Sequence, residues 1–457
     1  MKVKASALNK SGLNRLERRS ITALASVYGL RMFGLFLILP VLAIYAEELQ
    51  ASPVLMGVAL GIYGITQAIF QIPFGIMSDK FGRKPVILVG LSIFVVGSLV
   101  AAFAVSIEGV IIGRALQGAG AIAAVVLALT SDLTRENQRT KAMAMIGMTI
   151  GFAFLLALIA APWLEFFIGV KGLFIMTAVL ALGSMVLIVK VVPTPIQTRN
   201  LEVRAVPQKM LGLLRNPHLV RLDLGIFILH FVLTSMFVVV PIIMLERLGL
   251  ETRDHWQVYI PALLGSIVFM VPMIIMSARK RLLIKIFLSA ICILLFAQLL
   301  LMRDPSSVMA LTLCMFFFLW GFNLLEAMLP SMVSRVAPAA CKGSAMGVYN
   351  TFQFFGVFFG GFIGGVIYGE FGVAAVFIVS AAMLLLWVWL VYTAPELRLL
   401  DSLVVTVDHG AGVDCQSMLE AVEGVEEVII IEGESTAYLK IDKERLDQVA
   451  LNSIVSK

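Results

Sequence analysis

The chain has 457 residues, of which 60% are hydrophobic and only 14% charged. An ordinary soluble domain carries about a quarter charged residues, so this composition excludes one. The net charge of +6 is uneven: beyond Leu399, twelve acidic residues face four basic ones. That tail is near −8, which argues against a nucleic-acid partner, since such proteins need basic surface.

Residues 1–20 form a basic, polar segment (Lys2, Lys4, Lys10, Arg15, Arg18, Arg19). A helix-length apolar run follows without a small-residue cleavage site, so the first helix is read as uncleaved with its N-terminus inside. Twelve candidate spans run approximately 21–45, 55–77, 85–105, 108–130, 142–167, 173–192, 219–244, 256–278, 283–302, 308–331, 344–368 and 373–393. A β-barrel would show short alternating segments instead. The fold class expected is therefore an all-α polytopic membrane protein with twelve transmembrane helices in 6+6 halves. Its parts are the N-terminal half 21–192, a polar linker 193–218, the C-terminal half 219–393 and a tail 394–457. Segments assigned to the inside hold about 24 Lys and Arg against about 4 outside (Lys171, Arg247, Arg253, Arg303). Both chain ends are thus expected on the cytoplasmic side. Two six-helix halves suggest repeats, and Ser277-Ala278-Arg279-Lys280-Arg281 is a faint second-half echo of the basic turn near residue 80.

After Pro395 the pattern changes to strand, helix, strand, strand, helix: 403–407, 417–422, 427–431, 437–441 and 444–454, with a turn at 432–435. This βαββα order suits a small α+β ferredoxin-like domain. Its acidic charge suits docking on basic cytoplasmic loops or binding a partner. Asp408, His409 and Cys415 sit in this tail, but no C-x-x-C accompanies them. With Cys292, Cys314 and Cys341 also isolated, neither a metal site, a cofactor nor a disulfide framework is expected. No P-loop or hydrolytic constellation occurs, so an enzyme or ATP-driven pump is not read here.

Several polar residues inside the spans call for explanation, because charge in hydrocarbon is expensive and faces the protein interior or water. Arg31 lies about 14 Å into the first span, near the midplane. Arg114, with Gln117 and Gly118, opens the fourth span; it either faces the bundle or snorkels outward. Asp223 and His230 are seven apart, hence on one helical face, although Asp223 can equally be interfacial. Asn323 and Glu326 are three apart in the tenth span, and a desolvated Glu there is a candidate proton carrier, or else a paired group near the inner interface. The small residues Gly147, Gly151 and Ala161-Pro162 in span five, and the run Gly356 to Gly365 in span eleven, read as close helix packing.

The turn Gly75-Ile76-Met77-Ser78-Asp79-Lys80-Phe81-Gly82-Arg83-Lys84-Pro85 carries more than topology requires. Positive-inside bias explains Lys80 and Lys84 but not Asp79 or the two glycines. Gly75 reads as a close-approach residue, Gly82 as a turn with positive φ, and Asp132 as a partner for Arg83.

This turn resembles the signature loop between helices 2 and 3 of the major facilitator superfamily. Arg114-Ala115-Leu116-Gln117-Gly118 resembles the helix-four motif of its antiporters. With Gln67 to Gly75, Gly343 to Tyr349 and the tail, the chain is similar to bacterial drug:proton antiporter-like members of twelve helices. The span-five antiporter motif is incomplete: Ala161 precedes Pro162 where Gly is expected. The resemblance implies a monomeric inner-membrane carrier in the lipid bilayer, exchanging protons for a small, amphiphilic or drug-like solute. It implies a conformational latch of Gly75, Asp79, Gly82, Arg83, Lys84 and Asp132. Proton symport or uniport of a nutrient, and a sensor regulated by the tail, stay open as alternatives.

Overall fold

A computed structural model describes residues 13–194, 212–277, 280–338, 341–393, 400–406, 412–430, 436–442 and 445–455. Residues 1–12, most of the linker, Ala278, Arg279, Asp408, His409, the 432–435 turn and the side chain of Cys415 lie outside the described residues.

Eleven helical runs among the described residues are long and apolar enough to cross a bilayer. One of them, Lys141–Lys190, is 50 residues long. Gly169 breaks it with φ 63°, a conformation that only glycine adopts without strain. It therefore supplies two spans, at the boundary expected from hydropathy, and the twelve-span reading holds. In chain order the helices are α1 (Arg15–Phe36), α2 (Leu39–Glu48), α3 (Pro53–Phe81), α4 (Arg83–Phe103), α5 (Ile107–Ala119), α6 (Ala123–Asp132) and α7 (Glu136–Lys190). The second half holds α8 (Pro217–Ile242), α9 (Trp256–Ser277), α10 (Lys280–Leu301), α11 (Val308–Val336), α12 (Lys342–Phe371) and α13 (Val373–Tyr392).

Two spans are interrupted. The first is α1 plus α2, parted at Leu37-Ile38 just before Pro40, whose ring cannot continue the first helix. The fourth is α5 plus α6, parted at Gly120. Broken helices free backbone carbonyls, and inside a membrane these must find partners in protein. At the start of α1, Asn14 and Glu17 form a reciprocal capping box. Glu17 also receives two guanidinium bonds from Arg135, at 2.8 and 2.9 Å, tying α1 to the turn before α7.

The halves meet chiefly along α3 and α12. Here the glycine run of span eleven does what was expected. Gly361 and Gly365 lie against the backbone of Gly57 and Pro53, while Gly356 and Gly360 lie against the carbonyls of Phe227 and Phe231 on α8. A side chain on either face of α12 would overlap a neighbouring backbone. Gly147 and Gly151 differ: a Cβ there would meet nothing within 4 Å. They line open space, so close packing is not their role in this conformation.

The apolar core is continuous between halves only at the end assigned to the outside. Leu37 to Leu60, Ala101 to Val110 and Phe154 to Phe174 of the first half share one cluster with the second half. The inner part of the first half forms a separate cluster, to which Phe354 and the partly buried Phe355 of the second half contribute. At the outer end Arg253 also stacks on Phe166, 5.3 Å from the ring centre. Toward the inner end a cleft of about 350 Å³ opens beside α1 and α7, lined by Thr22, Ser26, Met145, Met148, Thr149 and Phe152 among others. The halves thus share a continuous apolar core at the outer end, while at the inner end the first half flanks a cleft of its own.

The tail has three antiparallel strands, β1 (Asp401–Thr406), β2 (Val425–Ile430) and β3 (Thr436–Ile441), in the order β1-β3-β2. α14 (Gly412–Glu420) and α15 (Gln448–Val455) complete βαββα, compatible with a ferredoxin-like domain. Ala437, Leu439 and Ile441 alternate into a small core with Val428, Leu419 and Leu451. Lys440 therefore points to the other face, yet is 1% exposed. Its Nζ donates to the carbonyls of Ser334 and Arg335 at 3.2 and 2.9 Å, near the cytoplasmic end of α11. A cation on the unsatisfied carbonyls of a helix C-terminus is electrostatically favourable. In place of the expected acidic face on basic loops, the contact observed is a buried lysine on a helix end.

Candidate functional site

The second half brings three spans to one polar point. His230 comes from α8, Glu326 from α11 and Gln353 from α12. Gln353 Nε2 lies 2.8 Å from His230 Nε2 and 3.5 Å from Glu326 Oε1. His230 Nε2 is 3.9 Å from Glu326 Oε2, and its Nδ1 is 3.3 Å from the Ile226 carbonyl. The Glu326 side chain keeps 36% of its surface open although it sits mid-span, while His230 keeps 9%. The exposure is not at Oε2, which is buried without a hydrogen-bond partner. A part-open carboxyl next to an imidazole can load and release a proton. Asp223, two turns below His230, is 2% exposed and its Oδ1 has no hydrogen-bond partner. It is buried rather than interfacial. The Tyr349 hydroxyl is within electrostatic reach of both Asp223 and Glu326. Asn323 lies one turn from Glu326, with its amide nitrogen unpartnered.

The two arginines are in the first half, and neither faces the cleft. Arg31 is 1% exposed; one guanidinium nitrogen donates to Gln67 Oε1 at 2.8 Å and to the Gly120 carbonyl at 3.0 Å. It thus takes up a carbonyl freed by the break in the fourth span. Arg114 is also 1% exposed, so it does not snorkel. It donates to Gln117 Oε1 at 3.1 Å and to the carbonyls of Ala59 and Leu60 at 3.4 and 3.3 Å. Both cations lean on the Tyr63 ring, at 5.9 and 5.4 Å. Gln117 passes the chain on to Ser98 at 2.8 Å. Gly118 lies against Thr66 and the Tyr63 carbonyl, with no room for a side chain. The partners of Arg31 and Arg114 among the described residues are amides, carbonyls and π faces rather than carboxylates.

The cytoplasmic turn brings its predicted members together. Arg83 Nε binds Asp132 Oδ2 at 3.0 Å, and its NH1 bonds Asp79 and, at 2.6 Å, the Ser78 hydroxyl. Gly82 has φ +92°, as the turn requires. Lys84 instead caps the far end of α7, donating to the Val192 carbonyl at 2.8 Å. Gly75 is not a close-approach residue here, since nothing lies within 4 Å of a Cβ built on it. These partners all belong to the first half. Nearby, Gln71 crosses to the second half and bonds Thr351 on α12.

Gln353 and Tyr63 were not singled out from the sequence, and Gln67 and Tyr349 entered only as ends of segments that carry the resemblance. Uncharged polar residues are common in spans, and only their contacts separate these from incidental ones. Gln353, between Phe352 and the glycine run, carried the one available signal: an amide in an otherwise apolar stretch.

The model of the Major Facilitator Superfamily matches residues 24–361. The chain belongs to the Major Facilitator Superfamily. This superfamily member is 42% identical over 432 residues to the inner membrane transport protein YajR of Escherichia coli K12, covering 94% of the chain and 95% of YajR. A shorter match, 37% over 140 residues, is to the class B tetracycline resistance protein of Escherichia coli, covering 30% of the chain and 34% of that protein. Among solved structures a D-xylose–proton symporter superposes with a TM-score of 0.65 at 16% identity, over 83% of the chain and 98% of the symporter. That last likeness concerns the fold alone.

Proposed function

We propose that this superfamily member is an inner-membrane carrier that exports a small amphiphilic or drug-like solute in exchange for protons. The observation that carries this reading is the His230, Glu326 and Gln353 cluster, in which a mid-span carboxyl side chain keeps 36% of its surface open beside an imidazole. Glu326 is the proton carrier and His230 its exchange partner. Protonation from the outer side removes a charge from the site and favours return to the inner-open state, where the proton leaves and solute binds. Asp79, Arg83 and Asp132 act as the latch. Their first-half contacts fix the shape of the turn, which stabilises the outward state when α12 closes on it. The family membership, and the names of YajR and of the tetracycline resistance protein, support transport and export respectively.

The test is reconstitution in liposomes with an imposed pH gradient and a panel of solutes including ethidium and tetracycline. Solute should accumulate on the acidic side, and a solute gradient should drive protons the opposite way. Co-directional movement would establish the symport alternative. Solute movement indifferent to pH throughout the panel would sink proton coupling altogether.

A second reading has one observation in its favour. Lys440 seats the tail on the end of α11, the helix that bears Glu326. The tail would then regulate the carrier in response to a cytosolic ligand. Deleting residues 400–457 separates the two: basal transport that is retained but no longer adjustable marks the tail as regulatory.

A further inference from the structure

We propose that Gln353 is the positioning residue of the proton site, setting the tautomer of His230 and linking the charge state of Glu326 to the seam between the halves. The inference rests on the reading of Glu326 and His230 as the proton pair.

The argument starts from hydrogen-bond inventory. A Gln amide nitrogen has two N–H donors and no lone pair to offer. Placed 2.8 Å from His230 Nε2, it requires that Nε2 be the acceptor. His230 is then neutral, with its proton on Nδ1, and Nδ1 faces the Ile226 carbonyl at 3.3 Å, which accepts it. The second N–H points to Glu326 Oε1 at 3.5 Å, where an ionised carboxylate accepts best. One amide thus stabilises a single charge state of both partners: carboxylate and neutral imidazole.

A proton reaching this site changes what the amide must do. A protonated Glu326 becomes an O–H donor, and a protonated His230 becomes an N–H donor at Nε2. Either needs an acceptor. Rotation of the Gln353 amide by about 180° about its last torsion exchanges nitrogen for oxygen and supplies it, and once Glu326 holds the proton a neutral His230 carries its own on Nε2, so that both groups donate to that oxygen. No bond other than the incoming proton's own is made. The amide is therefore a two-state element that both proton-binding groups bias. The charged and titratable groups facing this point are Asp223 on α8, Glu326 on α11 and Tyr349 on α12.

The next residue carries the state outward. Phe354 meets Tyr63 of the first half edge-on, 6.2 Å between ring centres. The Phe354 carbonyl and the start of Phe358 crowd Gly64. Tyr63 is the ring on which Arg31 and Arg114 lean. The Gln353-Phe354 pair thus has one side chain in the proton site and the next on the α3–α12 seam.

The test uses the full chain in nanodiscs with nitrogen-15 histidine labelling, read by imidazole nitrogen shifts. The chain has four histidines, and loss of one signal set in His230→Asn assigns the one needed. The neutral wild-type His230 should carry its proton on Nδ1. Gln353→Leu, similar in size but without donors, should move the population toward the Nε2–H tautomer facing Glu326. Gln353→Glu, an acceptor only, should place a proton on Nε2 at a pH where the wild type has none. It also serves where the Leu variant fails to fold. A wild-type His230 protonated on Nε2, or spectra unchanged in folded Gln353 variants, overturns the proposal. Because these spectra need no solute, failure of proton-coupled transport would remove the carrier role of Glu326 while leaving the tautomer result intact.

Discussion

Glu326 is the side chain on which transport should depend most sharply. Glu326→Gln keeps the shape and loses the proton, so pH-driven flux should fall roughly 100-fold, the scale of removing a positioned proton carrier. Melting temperature should barely change. Full pH-driven transport in that variant would reassign the carrier, with Asp223 next in line as the other buried carboxyl of the strip. Arg31 should behave in the opposite way. Arg31→Leu removes one of two donors from Gln67 Oε1 and from the Gly120 carbonyl, which keep Tyr63 and Ile122 respectively, a loss of about 1–3 kcal/mol. Thermal unfolding in detergent measures this, and Arg31→Lys should recover only part, since one ammonium does not reproduce the planar fork. The two expectations differ because Glu326 keeps part of its side chain open, whereas Arg31 is buried and answers a broken backbone.

At the scale of elements, α12 is the piece with least freedom. Its glycines touch α3 on one side and α8 on the other. Gly361→Leu places a branched side chain against the Gly57 backbone, and overpacking of that kind costs about 1–3 kcal/mol or more. The expected result is little folded protein by size-exclusion chromatography. Gly75→Ala should be harmless to folding, because the space beside it is empty. The turn itself should act on balance rather than on assembly. Asp79→Asn weakens the hold on Arg83 but leaves Asp132 in place at 3.0 Å. Cysteine-accessibility probes at the inner cleft should report a longer-lived inner-open state in that variant. A misfolded Asp79→Asn protein would make the turn purely structural.

For the whole molecule, how the halves are joined follows from how the cores connect. A continuous apolar cluster joins the halves at the outer end, and a separate cluster serves the inner part of the first half. Rocking about the α3–α12 seam would exchange these conditions, as alternating access requires. The tail adds a contact on the cytoplasmic end of α11, about 12 Å along the helix from Glu326 at 1.5 Å per residue. Lys440→Met should release that contact, seen as faster trypsin cleavage of the tail with the membrane half intact. Unchanged cleavage would mean that other contacts hold the domain.

Much of this plan was legible in one dimension. Apolar runs marked the spans because hydrocarbon admits only internally bonded backbone, and Lys and Arg spacing oriented them. Local chemistry announced the Gly82 turn and the βαββα tail. Arg83 was matched to Asp132 because topology brings the ends of two short-looped spans together. Even Glu326 and His230 stood out, since charge inside a span always needs a reason. What the tertiary structure alone decided was partnership. The arginines proved to be bound to a freed carbonyl, amides and a tyrosine ring, and the glutamate to share an amide with the histidine. Gln353 had no charge to betray it, and Gly75 and Gly147 had the right residue type without the neighbour. Composition and spacing set where a polar group must be explained, because desolvation depends on depth. Which group explains it depends on helix packing across residues far apart in the chain, and that is fixed only when the spans assemble.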